Sequence, residues 1–302
     1  ASDALAARCA FDGVCGRVLT DEPLNKHTTF KIGGPARFWI EPSDSEDLRR
    51  VLAGCRHSGK RVCFFGLGSN LLVSDEGFEG VAIRLSAKAF TDVRLADGRT
   101  VVCGAGMPLA HFIRFGSENC LGGFEFLAGI PGTVGGAVLM NAGSRDRWIE
   151  SLVESVTVMT MDGQIVTRPR ASLEFAYRRS GLSDCVILEV VFKLSEAEAA
   201  ATREQLEAFR QHRIQTQDTI SPSAGCVFKN PSNGVSCGKL IQEAGLKGHR
   251  IGDAEVSQKH ANFIVNRGQA SARDVKALCQ VVRQSIRERF GIDLEQEIKF
   301  VE

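Results

Sequence analysis

Apolar and polar positions alternate in short blocks over the first two thirds of the chain and in longer helical blocks over the last third. "RVCFFG" (61–66) and "GVAIRL" (80–85) are apolar runs bounded by glycine, which predicts buried strands. "VRLADGRTVVCGAG" (93–106) sets Asp97-Gly98 between two strand-like runs, the signature of a hairpin. "VTVMTMDGQIVTR" (156–168) repeats the device with Asp162-Gly163, and "CVILEVVFKL" (185–194) reads as another buried strand. Helices are predicted over 45–57 and 108–120. At Ser195 the texture changes to strong helix formers. Ser195 and Glu198 have capping-box spacing, which predicts a hinge helix leading into a third unit. That unit holds a short helix at "GKLIQEAGL", a strand at "ANFIVN" and a long helix over 272–290. Ser271 can cap the long helix with Asp274 three residues on, and Val275, Leu278, Val282, Ile286 and Phe290 recur at helical spacing. "LEQEIKFVE" closes the chain as an alternating strand. No internal repeat or low-complexity tract interrupts this order.

Length and composition narrow the classes. A chain of 302 residues with 43% hydrophobic content can bury two or three packed units. The net charge of +1 lacks the basic excess of a nucleic-acid binder. No apolar run approaches the roughly 18 residues of a membrane span. No basic stretch followed by an apolar one opens the chain, so no secretory leader is expected. The ten cysteines, at 9, 15, 55, 63, 103, 120, 185, 226, 237 and 279, form no CxxC pair and no cluster with histidine at metal-ligand spacing. Several lie in apolar stretches such as "VKALCQVV", where a thiol acts as a small hydrophobe. Reduced thiols in a cytoplasm are the simplest reading.

Two glycine loops raise the question of a ligand. "GLGSNLLV" (66–73) follows a strand but is neither a dinucleotide fingerprint nor a P-loop. Gly66 and Gly68 would let backbone approach a ligand, with Ser69 and Asn70 adding donors; an ordinary tight turn is the alternative. In "GIPGTVGGAVLMNAG" (129–143), Gly129, Gly132, Gly135 and Gly136 leave one side bare, Pro131 stiffens the entry, and a helix start at Thr133 would aim N–H groups at a phosphate. Two loops of this kind favour a flat, phosphate-bearing cofactor. In "SAGCVFKNP" (223–231), Cys226 beside Lys229 and Asn230 is either a filler or a proton donor. Arg178, next to the lone tyrosine Tyr177, is a solvated edge or a carboxylate clamp. Glu297 alternates with Glu295 on the closing strand. The basic residues of 226–260 suit a diphosphate or a wet surface equally.

Taken together, "NKHTTFKIGGPA" (25–36), "GLGSNLLV", "GIPGTVGGAVLMNAG", "AYRRS", "AGCVFKNP", "GKLIQEAGLKGHRIGDAEVSQKHANFIVN" (238–266) and "EIKFV" resemble the UDP-N-acetylenolpyruvoylglucosamine reductase (UDP-N-acetylmuramate dehydrogenase) family, flavoenzymes of bacterial wall-precursor synthesis. The match runs from about 25 to 301 in the family's order and is similar to the shorter subtype, which lacks an extra substrate-covering loop. The resemblance implies an α+β architecture: a two-subdomain FAD-binding fold of the vanillyl-alcohol-oxidase (PCMH) type in 1–90 and 91–205, and a C-terminal α+β substrate domain in 206–302 whose last strand returns toward the FAD domain. It implies noncovalent FAD held by Thr29, Gly33, Gly66, Gly68, Ser69, Asn70, Leu71, Pro131, Gly132, Gly135, Gly136 and Asn141, with NADPH as co-substrate. It implies substrate contacts at Tyr177, Lys229, Asn230 and Lys239, and no metal.

In the family's reaction NADPH reduces FAD and leaves. The enolpyruvyl sugar nucleotide then enters, hydride from flavin N5 goes to C3 of the enol ether, and C2 is protonated. By resemblance Arg178 holds the substrate carboxylate, and Glu297 assists in protonated or hydrogen-bonding form with a raised pKa. Cys226 stands where the commonest pattern has serine. A thiol is the stronger acid and is mostly protonated at pH 7, so it can donate to C2 without a large shift. The expected protein is a cytoplasmic monomer that binds small molecules, not nucleic acid or membrane. Another flavin oxidase on the same fold and a non-catalytic nucleotide-sugar binder are the alternatives.

Overall fold

The computed structural model describes residues 11–144, 147–232 and 234–302. The chain divides into two units. The first takes the segment ending at Thr20 with Phe38–Gly66 and Gly80–Gln211; the second takes Asp21–Arg37, Leu67–Glu79 and His212–Glu302.

The first unit is built around a five-stranded antiparallel sheet in the order Ile165–Pro169, Val153–Thr160, Cys185–Lys193, Thr100–Gly104, Val93–Asp97. Both hairpins expected from Asp-Gly pairs are present. In the first, Asp97 Oδ1 accepts the Arg99 and Thr100 N–H groups at 3.1 and 3.0 Å. In the second, Gly163 supplies a φ of +95° and donates to the Thr160 carbonyl at 2.9 Å. The Leu109–Glu118 helix buries Leu109, Phe112 and Ile113, and Phe112 meets Phe192 of the sheet at 4.7 Å between ring centroids. The Ser45–His57 helix is capped by Asp44, which accepts the Asp47 N–H at 2.8 Å; it packs Leu48, Val51, Leu52 and Cys55 with Val81 and Ile83. The Val62–Phe65 strand runs parallel to Phe78–Arg84, with Val62 opposite Val81.

The capping box expected at Ser195 is not formed. Ser195–Glu196 is a strand paired with Leu121–Gly122, which keeps Ser195 extended. The helix begins later, at Ala199, and runs to Thr216 with Glu198 O accepting the Thr202 N–H. It buries Thr202 and is otherwise polar on most faces.

The second unit has a four-stranded antiparallel sheet in the order Ser223–Cys226, Phe263–Asn266, Ala254–Val256, Arg250–Ile251. The Ala272–Phe290 helix packs Val275, Leu278, Cys279, Val282 and Ile286 into that unit's core. Its capping box is complete: Asp274 N–H donates to Ser271 Oγ at 3.0 Å and Ser271 N–H to Asp274 Oδ2 at 2.9 Å. Asp75 accepts the next two donors, Ala272 N–H at 2.7 Å and Arg273 N–H at 3.0 Å. Gly291 ends the helix at φ +68°. The closing segment is not one strand. Gln296 bridges antiparallel to Phe228, and only Lys299–Val301 is a strand, parallel to Leu71–Val73. Among the described residues, no helix is long and apolar enough to cross a membrane, and no group of three or more His, Cys, Asp or Glu is arranged to hold a metal.

Candidate active site

In the first unit Gly66, the first residue of the 66–73 loop, packs against Thr133 of the second glycine loop. A Cβ on Gly66 would lie 2.8 Å from Thr133 Oγ1, so only glycine fits there. Gly135 is pressed against Ala105, where a Cβ would fall at 2.8 Å. Thr133 caps the short Val134–Leu139 helix, as expected. The N–H groups at its start do not, however, point to an external anion. Val134 donates to Met107 O and Gly135 to Ala105 O, both at 2.8 Å, and Gly136 donates to Thr133 Oγ1 at 3.3 Å. Packing against the Ala105–Met107 backbone takes up the donors that a helix start would otherwise offer. Pro131 and Gly136 remain exposed and Gly132 half-exposed, so bare backbone is accessible there. Asn141, at φ +43° and buried, gives Nδ2–H to Ala176 O at 3.1 Å and accepts the Glu150 N–H at 3.3 Å.

Those contacts fasten the turn that carries Arg178. Ala176 and Arg179 exchange both backbone hydrogen bonds, at 2.9 and 3.0 Å, with Tyr177 and Arg178 between them. Arg178 has φ +58°, a left-handed conformation that costs a non-glycine residue about 1 kcal/mol or more. Ser180 Oγ donates to Leu139 O at 3.0 Å and closes the same turn. The Arg178 guanidinium lies over the rings of Tyr177 and Trp148, at 5.2 and 5.6 Å.

In the second unit a chain of hydrogen bonds joins the remaining candidates. Thr29 donates its N–H to Gly68 O at 3.3 Å and its hydroxyl to Ser223 O at 2.7 Å. Gly68, at φ +64°, has the His27 carbonyl where a Cβ would be, at 2.1 Å. Gly33 likewise backs onto Val73, at 2.6 Å. Ser69, Asn70 and Leu71 are half-buried. Asn70 Nδ2–H reaches Glu297 O at 3.2 Å, and Asn70 O accepts the Lys299 N–H at 2.9 Å. Glu297 N–H donates to Val227 O at 2.8 Å, so Glu297 is fixed beside the residue after Cys226.

Cys226 ends a strand with one residue more than its partner between the pairs Ser223–Val265 and Cys226–Phe263. Gly225, at φ +75°, takes up the extra residue, and a Cβ there would meet open space. Such a bulge re-aims the side chain that follows. Asn262, buried in the neighbouring segment, holds the chain just beyond it. Its Oδ1 accepts the Phe228 N–H at 3.0 Å, its Nδ2–H donates to Phe228 O at 2.7 Å, and its carbonyl accepts the Val227 N–H at 2.8 Å.

Cys226 is half-buried, as are Cys63 and Cys185, whereas Cys55, Cys103, Cys237 and Cys279 are buried. Burial pushes the thiols of Cys55, Cys103 and Cys279 up to about 12, and those of Cys63 and Cys185 up to about 11. Cys237 is also pushed to about 12, by burial first and then by negative charge at Cys226 and Glu297.

The basic candidates are less concentrated. Lys229 Nζ pairs with Glu295 at 2.5 Å. Asn230 Oδ1 accepts the Cys237 N–H at 2.9 Å and so tethers the start of the Cys237–Glu243 helix. Lys239 is exposed on that helix, 3.8 Å from Glu243. Tyr177, Arg178, Asn141 and the second glycine loop thus belong to the first unit, and Thr29, Gly33, Gly68, Asn70, Cys226, Lys229, Asn230, Lys239 and Glu297 to the second. Sequence reading missed Trp148 and Asn262. The signals were a large aromatic in a polar loop and an amide, Asn262, at the start of the apolar run in "ANFIVN".

Glycines without room for a Cβ, with exposed bare backbone nearby, fit a phosphate-bearing cofactor held by close approach rather than by a helix terminus. Comparisons with known proteins bear on the cofactor and the family. The model of the FAD binding domain family matches residues 36–168. That of the UDP-N-acetylenolpyruvoylglucosamine reductase C-terminal domain matches residues 215–301. UDP-N-acetylenolpyruvoylglucosamine reductase 2 of Symbiobacterium thermophilum is 43% identical over 286 residues, covering 94% of this chain and 92% of that protein. The reductase of Moorella thermoacetica is 42% identical over 284 residues, covering 94% and 93%. The crystal structure of UDP-N-acetylenolpyruvylglucosamine reductase from Thermus caldophilus aligns with a TM-score of 0.81 at 36% identity, covering 95% of this chain and 99% of that one.

Proposed function

Because the chain belongs to the UDP-N-acetylenolpyruvoylglucosamine reductase family, we propose that it reduces the enolpyruvyl ether of UDP-N-acetylglucosamine to UDP-N-acetylmuramate, with NADPH as reductant. It is an FAD-dependent oxidoreductase with the family's fold, an α+β FAD-binding domain followed by the C-terminal domain. In this reading residues 1–90 and 91–205 are the FAD-binding subdomains and 206–302 is the substrate domain, although 21–37 and 67–79 pack with the last. The protein works as a cytoplasmic monomer.

Noncovalently bound FAD would supply the two-electron chemistry that links NADPH to the enol ether. Thr29, Gly33, Gly66, Gly68, Ser69, Asn70, Leu71, Pro131, Gly132, Gly135, Gly136 and Asn141 are the residues assigned to hold it. The rest of the chemistry belongs to side chains. Arg178 pairs with the substrate carboxylate and stabilises the negative charge that grows on it as C3 is reduced. Cys226 gives its thiol proton to C2, and the resulting thiolate is reprotonated from solvent. Glu297 hydrogen-bonds in the same region in its protonated form, because a bare carboxylate would repel the developing enolate. Tyr177, Lys229, Asn230 and Lys239 contact the rest of the sugar nucleotide.

The observation that carries this reading is the backbone linkage of the glycine loop at Asn70 to Glu297 and of Glu297 to Val227, next to Cys226. One network thus joins a glycine-loop residue to the backbone of Glu297, and that backbone to the residue following the thiol-bearing strand. The test is the Cys226→Ala variant in anaerobic half-reactions. Reduction of FAD by NADPH should stay within about threefold of the parent, and reoxidation by the enolpyruvyl substrate should fall by more than about 10²-fold. Equal slowing of both halves would refute the proton-donor role.

A further inference from the structure

Arg178 is held through its side chain as well as by its backbone, and Trp148 takes part in this from a distant part of the sequence. The guanidinium carbon lies 5.6 Å from the Trp148 ring and 5.2 Å from the Tyr177 ring. The two rings are themselves 5.6 Å apart at 81°, edge to face. Arg178 therefore sits in a corner made by two aromatic planes. The seat of Trp148 is fixed independently. It pairs with Gly143 in a two-residue ladder, and a Cβ on Gly143 would fall 2.6 Å from Trp148 Cε3. Asn141 and Ser180 bind the Arg178 turn to this same stretch of chain, through Ala176 O and Leu139 O.

We propose that Trp148 is a positioning residue for Arg178: its ring holds the guanidinium plane so that the N–H edge is turned to the substrate carboxylate. Contact with a ring uses the face of a guanidinium, whereas bidentate pairing with a carboxylate uses its edge. The two interactions use different parts of the group and do not compete. The strained φ at Arg178 serves the same end, fixing where its side chain leaves the backbone. This inference rests on the carboxylate role of Arg178 and adds the means by which that role is prepared.

The experiment uses the FAD-loaded protein and the enolpyruvyl sugar nucleotide. Trp148→Leu should raise KM for that substrate by about 3- to 30-fold, the range of a partly desolvated cation–π contact. Flavin reduction by NADPH should change by less than about threefold. Trp148→Phe, which keeps a ring, should restore KM to within about threefold of the parent. In the Arg178→Lys background, Trp148→Leu should add little, because its effect passes through the guanidinium. A leucine variant with the parent's KM, or one whose penalty is undiminished in the Arg178→Lys background, overturns the role of Trp148 while leaving that of Arg178. An Arg178→Lys variant with the parent's KM overturns the carboxylate reading itself. Should Trp148→Leu fail to take up FAD, the parent decides: substrate should perturb the ultraviolet indole absorption of the oxidised enzyme, and the perturbation should vanish in Trp148→Phe and in Arg178→Lys. No indole perturbation in the parent would reject the proposal.

Discussion

Cys226 differs from the chain's other half-buried and buried thiols in its setting more than in its chemistry. It follows a bulge at Gly225 with open space beside it, whereas Cys103, Cys237 and Cys279 are enclosed. Iodoacetamide near pH 8 should therefore modify Cys226 before any of those three, as read by peptide mass spectrometry, and the sugar nucleotide should protect it. Equal labelling of Cys237 would contradict the described burial. Cys226→Ser should keep much of the activity and lose its sensitivity to alkylation, since a hydroxyl is a weaker acid in the same place. At Glu297 the decisive comparison is between two variants. Glu297→Gln retains a hydrogen-bonding group and should reoxidise faster with substrate than Glu297→Ala. Equal rates would mean that Glu297 contributes only its backbone, through Val227 and Asn70.

Among the elements, the long Ala272–Phe290 helix and the two Asp-Gly hairpins were legible because their signals are local. Ser271 and Asp274 sit three residues apart, and the turn glycines lie inside their own hairpins. Ser271→Ala should accordingly cost about 1 kcal/mol and lower Tm by about 2–4 °C in a calorimetric scan. Non-local pairings were not legible. Ser195 had the spacing of a cap, but pairing with Gly122 overrides it. The N–H groups at the Val134–Leu139 helix start suited a phosphate, but the Ala105–Met107 backbone takes two of them. Asn262 is the same lesson within the site. In sequence it is a polar interruption of a strand; in the fold it stands in for a missing β-partner of Phe228. Asn262→Leu keeps the volume but leaves a buried N–H and a buried carbonyl without their side-chain partners, at about 1–3 kcal/mol each. A urea melt should show this loss, and a midpoint unchanged from the parent would rule out the clamp.

For the whole molecule, the buried thiols set a pH limit. Cys55, Cys103, Cys237 and Cys279 are raised from an ordinary 9.0 to about 12, chiefly by burial, so the unfolded chain releases their protons first. Their contribution to stability is full below pH 9 and declines as pH rises from 9 toward 12. The urea midpoint should fall steadily above pH 9, and a flat profile to pH 10.5 would show that these thiols are not buried in solution. Net charge, at +1, gave no hint of this limit, which depends on enclosure alone. The second unit draws its three stretches from opposite ends of the chain, and Asn70 waits for a partner 227 residues downstream. During translation this unit has no means of closing while the first is already being assembled. The glycine loop at Leu67–Val73 stays without its parallel neighbour until Lys299–Val301 leaves the ribosome, so every newly made copy passes through an interval in which a nascent-chain chaperone has an exposed edge to cover.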